Sequence, residues 1–245
     1  QDNGGRLKPV HTLTSEYLRK IYGKNYFKDK SGTEVLLSMM YNPLDWGKKP
    51  IVKVSHSKLR NLVGSTDMNS KYIRVSFNDF FDENGHYLLA KDVEIAYEKL
   101  QKDRNLFDKD IIKVDERVNI CFAIFGSGIF RLFPLPKDSN NIWLTYTQST
   151  EFSGNDSLFV ANIMPMYFKA VEEGITTNNW ITADTIVGYI QRFQRKYGVE
   201  ILPEKNKINL EISYNKMSIF SSLFMYYFIV SFLLLVVVII SLFNN

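Results

Sequence analysis

Cysteine is almost absent from this chain: Cys121 stands alone among 245 residues. A single thiol excludes an internal disulfide framework and any zinc site built from thiolates. Histidine is nearly as scarce, with only His11, His56 and His86, so little raw material exists for a metal centre. Charge of one sign is not in marked excess: 30 Lys+Arg against 26 Asp+Glu leave a formal net charge of +4. The aromatic residues are not interleaved with basic runs, which excludes a dedicated nucleic-acid binder. There is no P-loop, no dinucleotide fingerprint, no GxSxG and no HExxH. No nucleophile–base pair stands out, so no catalytic residue and no metal ligand set is nominated.

What is present is a sharp division of charge. The last charged residue is Lys216, and residues 217–245 carry none. Within that stretch FMYYFIVSFLLLVVVIISLF is almost wholly apolar, and about 20 such residues cross a bilayer core as a helix. The expected organisation is therefore a soluble domain over 1–206, a membrane-proximal connector over 207–217 and a transmembrane helix over 218–242. The chain opens on Gln1 and not on Met, so either a leader has been removed or the chain is a piece of a longer one.

Helical patterns dominate the soluble part. Residues 12–22 place Leu13, Tyr17, Leu18 and Ile21 on one side, with Glu16 and Lys20 at pairing distance on the other and Gly23 as a stop. A short helix near 33–41 precedes Pro43. Phe107, Ile111, Val114, Val118, Cys121 and Phe125 step by four and three, an apolar stripe along one helix. Cys121 lies in that stripe and reads as a packed core thiol. Asp108, Asp110, Asp115 and Glu116 fall between and read as surface charge. Further helices are expected at 157–173, kinked or divided by Pro165, and at 183–197, capped by Thr182 and ended by Gly198. The latter turns Ile186, Ile190, Phe193 and Tyr197 to one face.

Strands are few. IVKV at 51–54, YIRVSF at 72–77, IFRLF at 129–133 and IWLTYT at 142–147 are the candidates, the last two joined by a long loop. Residues 207–214 alternate polar and apolar, which favours a strand, with a helix as the alternative. Asp82-Glu83-Asn84-Gly85 is a turn, because calcium-loop spacing would require a ligand where Phe80 stands. The fold class expected is mainly α, with minor β-hairpins, on one C-terminal transmembrane helix. His11, just before a helix, and His56, at the start of another, are weak candidates for cofactor ligation; a surface or capping role is the simpler reading of all three histidines.

Several segments also resemble, in order, a family of bacterial cytochrome c biogenesis proteins. They are QDNGGRLKPVHTLTSEYLRKIYGK at 1–24, NPLDWGKKPIVKV at 42–54, SFNDFFDENGHYLL at 76–89, FDKDIIKVDERVNIC at 107–121, IMPMYFKA at 163–170 and QRKYGVEILPEKNKINLEISYNKMSIF at 194–220. The family is system II, in which a ResB-like part is fused to a CcsA-like haem-handling part. The chain resembles its extracytoplasmic region and the first span of the CcsA-like part. The resemblance implies a haem-exporting cytochrome c synthase in the bacterial cytoplasmic (inner) membrane, with this domain facing the periplasm. Its implied partners are the membrane, the remaining spans of the CcsA-like and ResB-like parts, and apocytochrome c. Nothing here matches the family's tryptophan-rich WWD segment, so that haem site carries over to no residue. Haem is expected to be handled by the whole protein and not held by this soluble domain. The competing expectation is a non-catalytic, membrane-anchored scaffold subunit of a respiratory or cell-envelope complex.

Overall fold

The computed structural model describes residues 1–2, 4–65, 67, 69–217 and 219–243. The chain divides into two units, Gln1–Leu202 and Pro203–Asn245. The first is mainly helical with three small antiparallel strand pairs, and the second is two helices.

In the first unit α1 (Val10–Tyr22) ends where Gly23 takes φ 83°, the left-handed conformation that closes helices, its N–H donating to the Arg19 carbonyl. A hairpin of β1 (Tyr26–Phe27) and β2 (Lys30–Ser31) leads to α2 (Gly32–Tyr41). Ser31 and Glu34 form a reciprocal capping box there, the Ser31 N–H donating to Glu34 Oε2 at 2.8 Å. Asn42 and Pro43 then open the short α3 (Pro43–Trp46). β3 (Val52–Val54) pairs antiparallel with β4 (Ile73–Val75), Val52 opposite Val75 and Lys53 opposite Arg74. Alternation turns the valines into the core and Lys53 and Arg74 outward. Between these strands lies α4 (Ser57–Leu62). Arg60 of α4 is buried, yet its guanidinium donates to the carbonyls of Ser55 and Asp67, which keeps the charge hydrogen-bonded.

After α5 (Ala90–Glu98) comes α6 (Leu106–Phe125), the central helix. Asn105 and Asp108 cap it reciprocally at 2.9 Å in both directions. Its stripe buries Ile111, Val114, Val118 and Cys121 against α1, α2 and the β3–β4 hairpin, forming the larger core. β5 (Phe133–Pro134) and β6 (Trp143–Leu144) make the last hairpin. α7 (Gly154–Thr177) and α8 (Ile181–Gly198) follow, and with Phe133 they enclose a second core. Phe193 stands at its centre: the rings of Phe133, Phe152, Phe159 and Tyr197 all lie within 6.0 Å of it, Phe159 stacked at 9°.

Several local expectations are corrected. Of the strand expected at 129–133 only Phe133 pairs, in a two-residue strand with Pro134, and the one expected at 142–147 shrinks to Trp143–Leu144, where Thr145 instead caps a 3-10 turn over Tyr146–Glu151. Pro165 does not divide α7. It sits on the exposed face, while burial of Val160, Ile163, Met164 and Ala170 on the other side outweighs one lost hydrogen bond. Thr182 is not the cap of α8, which starts at Ile181 with its N–H donating to Asn179 Oδ1. Glu16 and Lys20 do not pair with each other. Lys8 reaches Glu16 at 2.8 Å and Lys20 pairs with Glu116, each choosing a tertiary partner.

Asp108 and Asp115 are not surface charges. They are 2% and 8% exposed. Lys99 donates to both Asp108 oxygens, at 2.7 and 2.9 Å, and together with the Asn105 N–H holds that carboxyl below its ordinary range.

In the second unit residues 207–214 are helical. They belong to α9 (Lys205–Met217), because no neighbouring strand offers a ladder among the described residues and a helix satisfies its own backbone. α10 (Ile219–Phe243) contains Leu223–Leu242, 20 residues long and apolar enough to cross a membrane, with none of that window buried inside the protein. Such an exposed apolar surface is stable against lipid and not against water. We read it as a membrane anchor.

Candidate functional site

The residues nominated from sequence do not converge. His11 lies within α1, half-buried, and not ahead of it. His56 is the N-cap of α4: its Nδ1 accepts from the Lys58 N–H at 3.2 Å and its ring meets Phe107 edge-on at 5.2 Å. His86 pairs with Asp82 at 3.0 Å across the turn that Asp82 and Gly85 close. Among the described residues no group of three or more His, Cys, Asp or Glu side chains is arranged to hold a metal.

Cys121 is fully buried, and burial pushes its thiol up to about 12, far from the thiolate needed for attack. Native protein is expected to resist thiol reagents over minutes and to react only on unfolding, and rapid native labelling would contradict this. Cys121→Ala should cost about 1–2 kcal/mol through lost packing.

Among the described residues Asp115 is the buried carboxylate without a cation. It accepts from Tyr87 Oη at 3.1 Å and from Asn119 Nδ2 at 3.0 Å, and it forms no ion pair among the described residues. Burial raises its pKa despite these two donors, and burial with the adjacent carboxylate raises that of Tyr87. A carboxyl whose pKa is raised on folding stabilises the fold fully below its unfolded value. That contribution is lost as pH rises through the folded value. Asp115→Asn is therefore expected to gain stability relative to the native chain between about pH 4 and pH 7. Thermal melts at both ends of that window check it, and a pH-independent difference would defeat it.

Three concave surfaces stand out among the described residues, and one of them, about 440 Å³ between α1 and α6, is lined by charges that already pair with one another, Lys8 with Glu16 and Lys20 with Glu116. Another is a shallow basic hollow of about 570 Å³ at the C-terminal end of α1, with Tyr22 and Tyr26 among Arg19, Lys24 and Lys28. Arg74 lies beside it, its guanidinium 3.9 Å from the centre of the Tyr22 ring and 4.9 Å from that of Tyr72. Arg74 also donates to the Tyr22 carbonyl, and Arg117 to that of Lys20, so both cations satisfy the carbonyl end of α1. Their role is structural.

The third is an apolar cleft of about 270 Å³ where α1, α2, α7, α8 and the segment after α6 meet. Phe130 and Met164 are buried against it, and Leu37, Leu132 and Ile190 add apolar walls. Gln194 closes one side, its Nε2 donating to the Leu132 carbonyl at 3.0 Å. Tyr167 is the one titratable side chain among its lining residues, and burial raises the pKa of that phenol. The apolar walls suit the burial of an apolar group. The sequence did not reveal the cleft, because its walls come from five separate stretches. Of its lining residues only Ile190 belongs to the apolar face that the sequence shows for α8.

The described structure is thus a mainly helical unit followed by an apolar helix long enough to cross a membrane. No family model matches the chain. In an alignment of 238 positions that covers 93% of the chain, it is 34% identical to Protein NrfI of Wolinella succinogenes. The chain spans about a quarter of that relative, 24% of its length. This corrects the assignment drawn from the sequence. The likeness found is to NrfI, and membership of the ResB–CcsA fusion family does not stand.

Proposed function

We propose that this chain is the membrane-anchored, partner-binding part of a protein that serves cytochrome c maturation. Its first unit lies outside the cytoplasm and holds an apolar stretch of apocytochrome c in the cleft beside Phe130 and Met164. Haem delivery and attachment are carried out elsewhere in the assembly. The observation that carries the reading is the cleft, which is concave and mostly apolar. The likeness to NrfI along nearly the whole chain supports it. The exposed apolar helix supports the anchor.

The test is photo-crosslinking in cells. Gln191 is exposed at the mouth of the cleft, so a photoreactive amino acid there leaves the core intact. The expected product is a crosslink to apocytochrome c. It should be lost when Val187, another lining residue, becomes Lys, together with most of the holocytochrome seen by haem staining. Holocytochrome at native level in Val187→Lys, with no crosslink from Gln191, would overturn the proposal. Orientation is checked separately: protease added after outer-membrane permeabilisation is expected to digest Gln1–Leu202.

A further inference from the structure

The turn between α7 and α8 has a surface unlike the rest of the first unit. Residues 174–183, GITTNNWITA, carry no charge. Three large apolar side chains project there: Ile175 at 69% exposed, Trp180 at 43% and Ile181 at 73%. Trp180 is also held in place. Its ring lies over Gly174 so closely that a Cβ on that glycine would fall 2.8 Å from it. Asn178, with φ 54°, takes the left-handed conformation that reverses the chain.

Several polar groups at the tip are already satisfied from within. Thr176 and Thr177 Oγ1 donate back to the Glu173 carbonyl, both at 2.8 Å. Thr177 Oγ1 accepts from the Asn179 N–H, Asn179 Oδ1 accepts from Ile181 N–H, and Thr185 Oγ1 donates to the Ile181 carbonyl. Removing a hydroxyl or amide from water is costly when it has no partner and cheap when it has one. The tip therefore combines exposed apolar area with a desolvation cost that these internal bonds reduce. Glu172, Glu173 and Asp184 bracket it, which disfavours an anionic surface.

We infer that the α7–α8 tip is a second membrane contact, with Trp180, Ile175 and Ile181 resting in the interfacial layer of a zwitterionic bilayer. The inference rests on the reading of Leu223–Leu242 as a membrane anchor, which keeps the first unit tethered to a bilayer. Tryptophan favours that layer because its ring is apolar and its N–H still meets polar groups. Three uncharged side chains on a turn bind lipid weakly alone, and the tether supplies the effective concentration that makes the contact persist.

The chain's own tryptophans make the contact measurable. Trp46 and Trp143 are each 3% exposed, Trp180 is the third of three, and the apolar helix contains none. The full chain is reconstituted into phosphatidylcholine vesicles, with and without phosphatidylcholine brominated on its acyl chains. Part of the indole emission is expected to be quenched by the brominated lipid and shielded from aqueous acrylamide. That quenched part should vanish in Trp180→Phe. In Ile181→Asp, a change at an exposed position, Trp180 should become open to acrylamide and lose its quenching by lipid. Flotation of the chain with the vesicles and no lipid quenching of Trp180 would overturn the inference alone, whether acrylamide reaches the ring or not. Quenching that persists in Trp180→Phe would overturn it equally. Failure of the chain to float with the vesicles would overturn the anchor, and the tip contact with it.

Discussion

Replacing Phe193 by alanine is expected to destabilise the first unit by about 3–5 kcal/mol, the range for deleting a buried phenyl ring. The ring touches four other aromatic rings, from β5, the segment before α7, α7 itself and α8. Its loss leaves each of them facing a void, and interior groups do not collapse freely into such space. The effect should concentrate in the second core, since the larger one is centred on α6 and does not include Phe193. Far-UV circular dichroism of the detergent-solubilised chain should show melting lowered by roughly 10 °C. Phe193→Leu should recover part of that loss by refilling volume without the ring contacts. A shift within about 2 °C of the native melt would show that α7 and α8 are held by something other than this cluster.

How much of this was legible in the sequence depended on where the deciding partner lay. The α6 stripe is read correctly because every position from Phe107 to Phe125 answers to one periodicity, and the core lies on that side. Gly23 and the apolar run of α10 are equally local signals. Asp108 and Asp115 were misread because their burial is set by Lys99 and Tyr87, which belong to other elements. A carboxylate on the polar side of a helix looks the same in sequence whether water or a tyrosine covers it. Residues 207–214 show the same limit: alternation favours a strand only if a neighbouring strand exists to pair with it. The apolar cleft was invisible for a related reason, since its walls are contributed by five separate stretches of chain. Of the nominated histidines, the capping role weighed for His56 is where the structure places it.

Gly32→Ala and Gly188→Ala are expected to have opposite signs, although both residues lie in helices and both replacements add one methyl group. In α8 the position of a Cβ on Gly188 has nothing within 4 Å, so alanine meets open space. It also narrows the unfolded chain's freedom, and the gain should be about 0.5–1 kcal/mol. At the start of α2 a Cβ on Gly32 would fall 2.9 Å from the carbonyl carbon and oxygen of Thr14 and 3.0 Å from the Ser15 amide. Those are backbone atoms of α1, which cannot rotate aside as a side chain can. The two helices must separate, which pulls Thr14 Oγ1 from its 2.9 Å hydrogen bond with Thr33 and loosens Leu18, Ile21, Val35 and Leu36 in the larger core. Overpacking of this kind costs about 1–3 kcal/mol, and the rigid backbone contact places Gly32→Ala toward the upper end. Gly32→Val should be worse, and Gly188→Val should lose most of the gain seen with alanine because β-branching disfavours helix. Parallel melts of the four variants decide the matter. If Gly32→Ala melts at or above the native temperature, the α1–α2 approach tolerates a methyl group and does not fix that glycine.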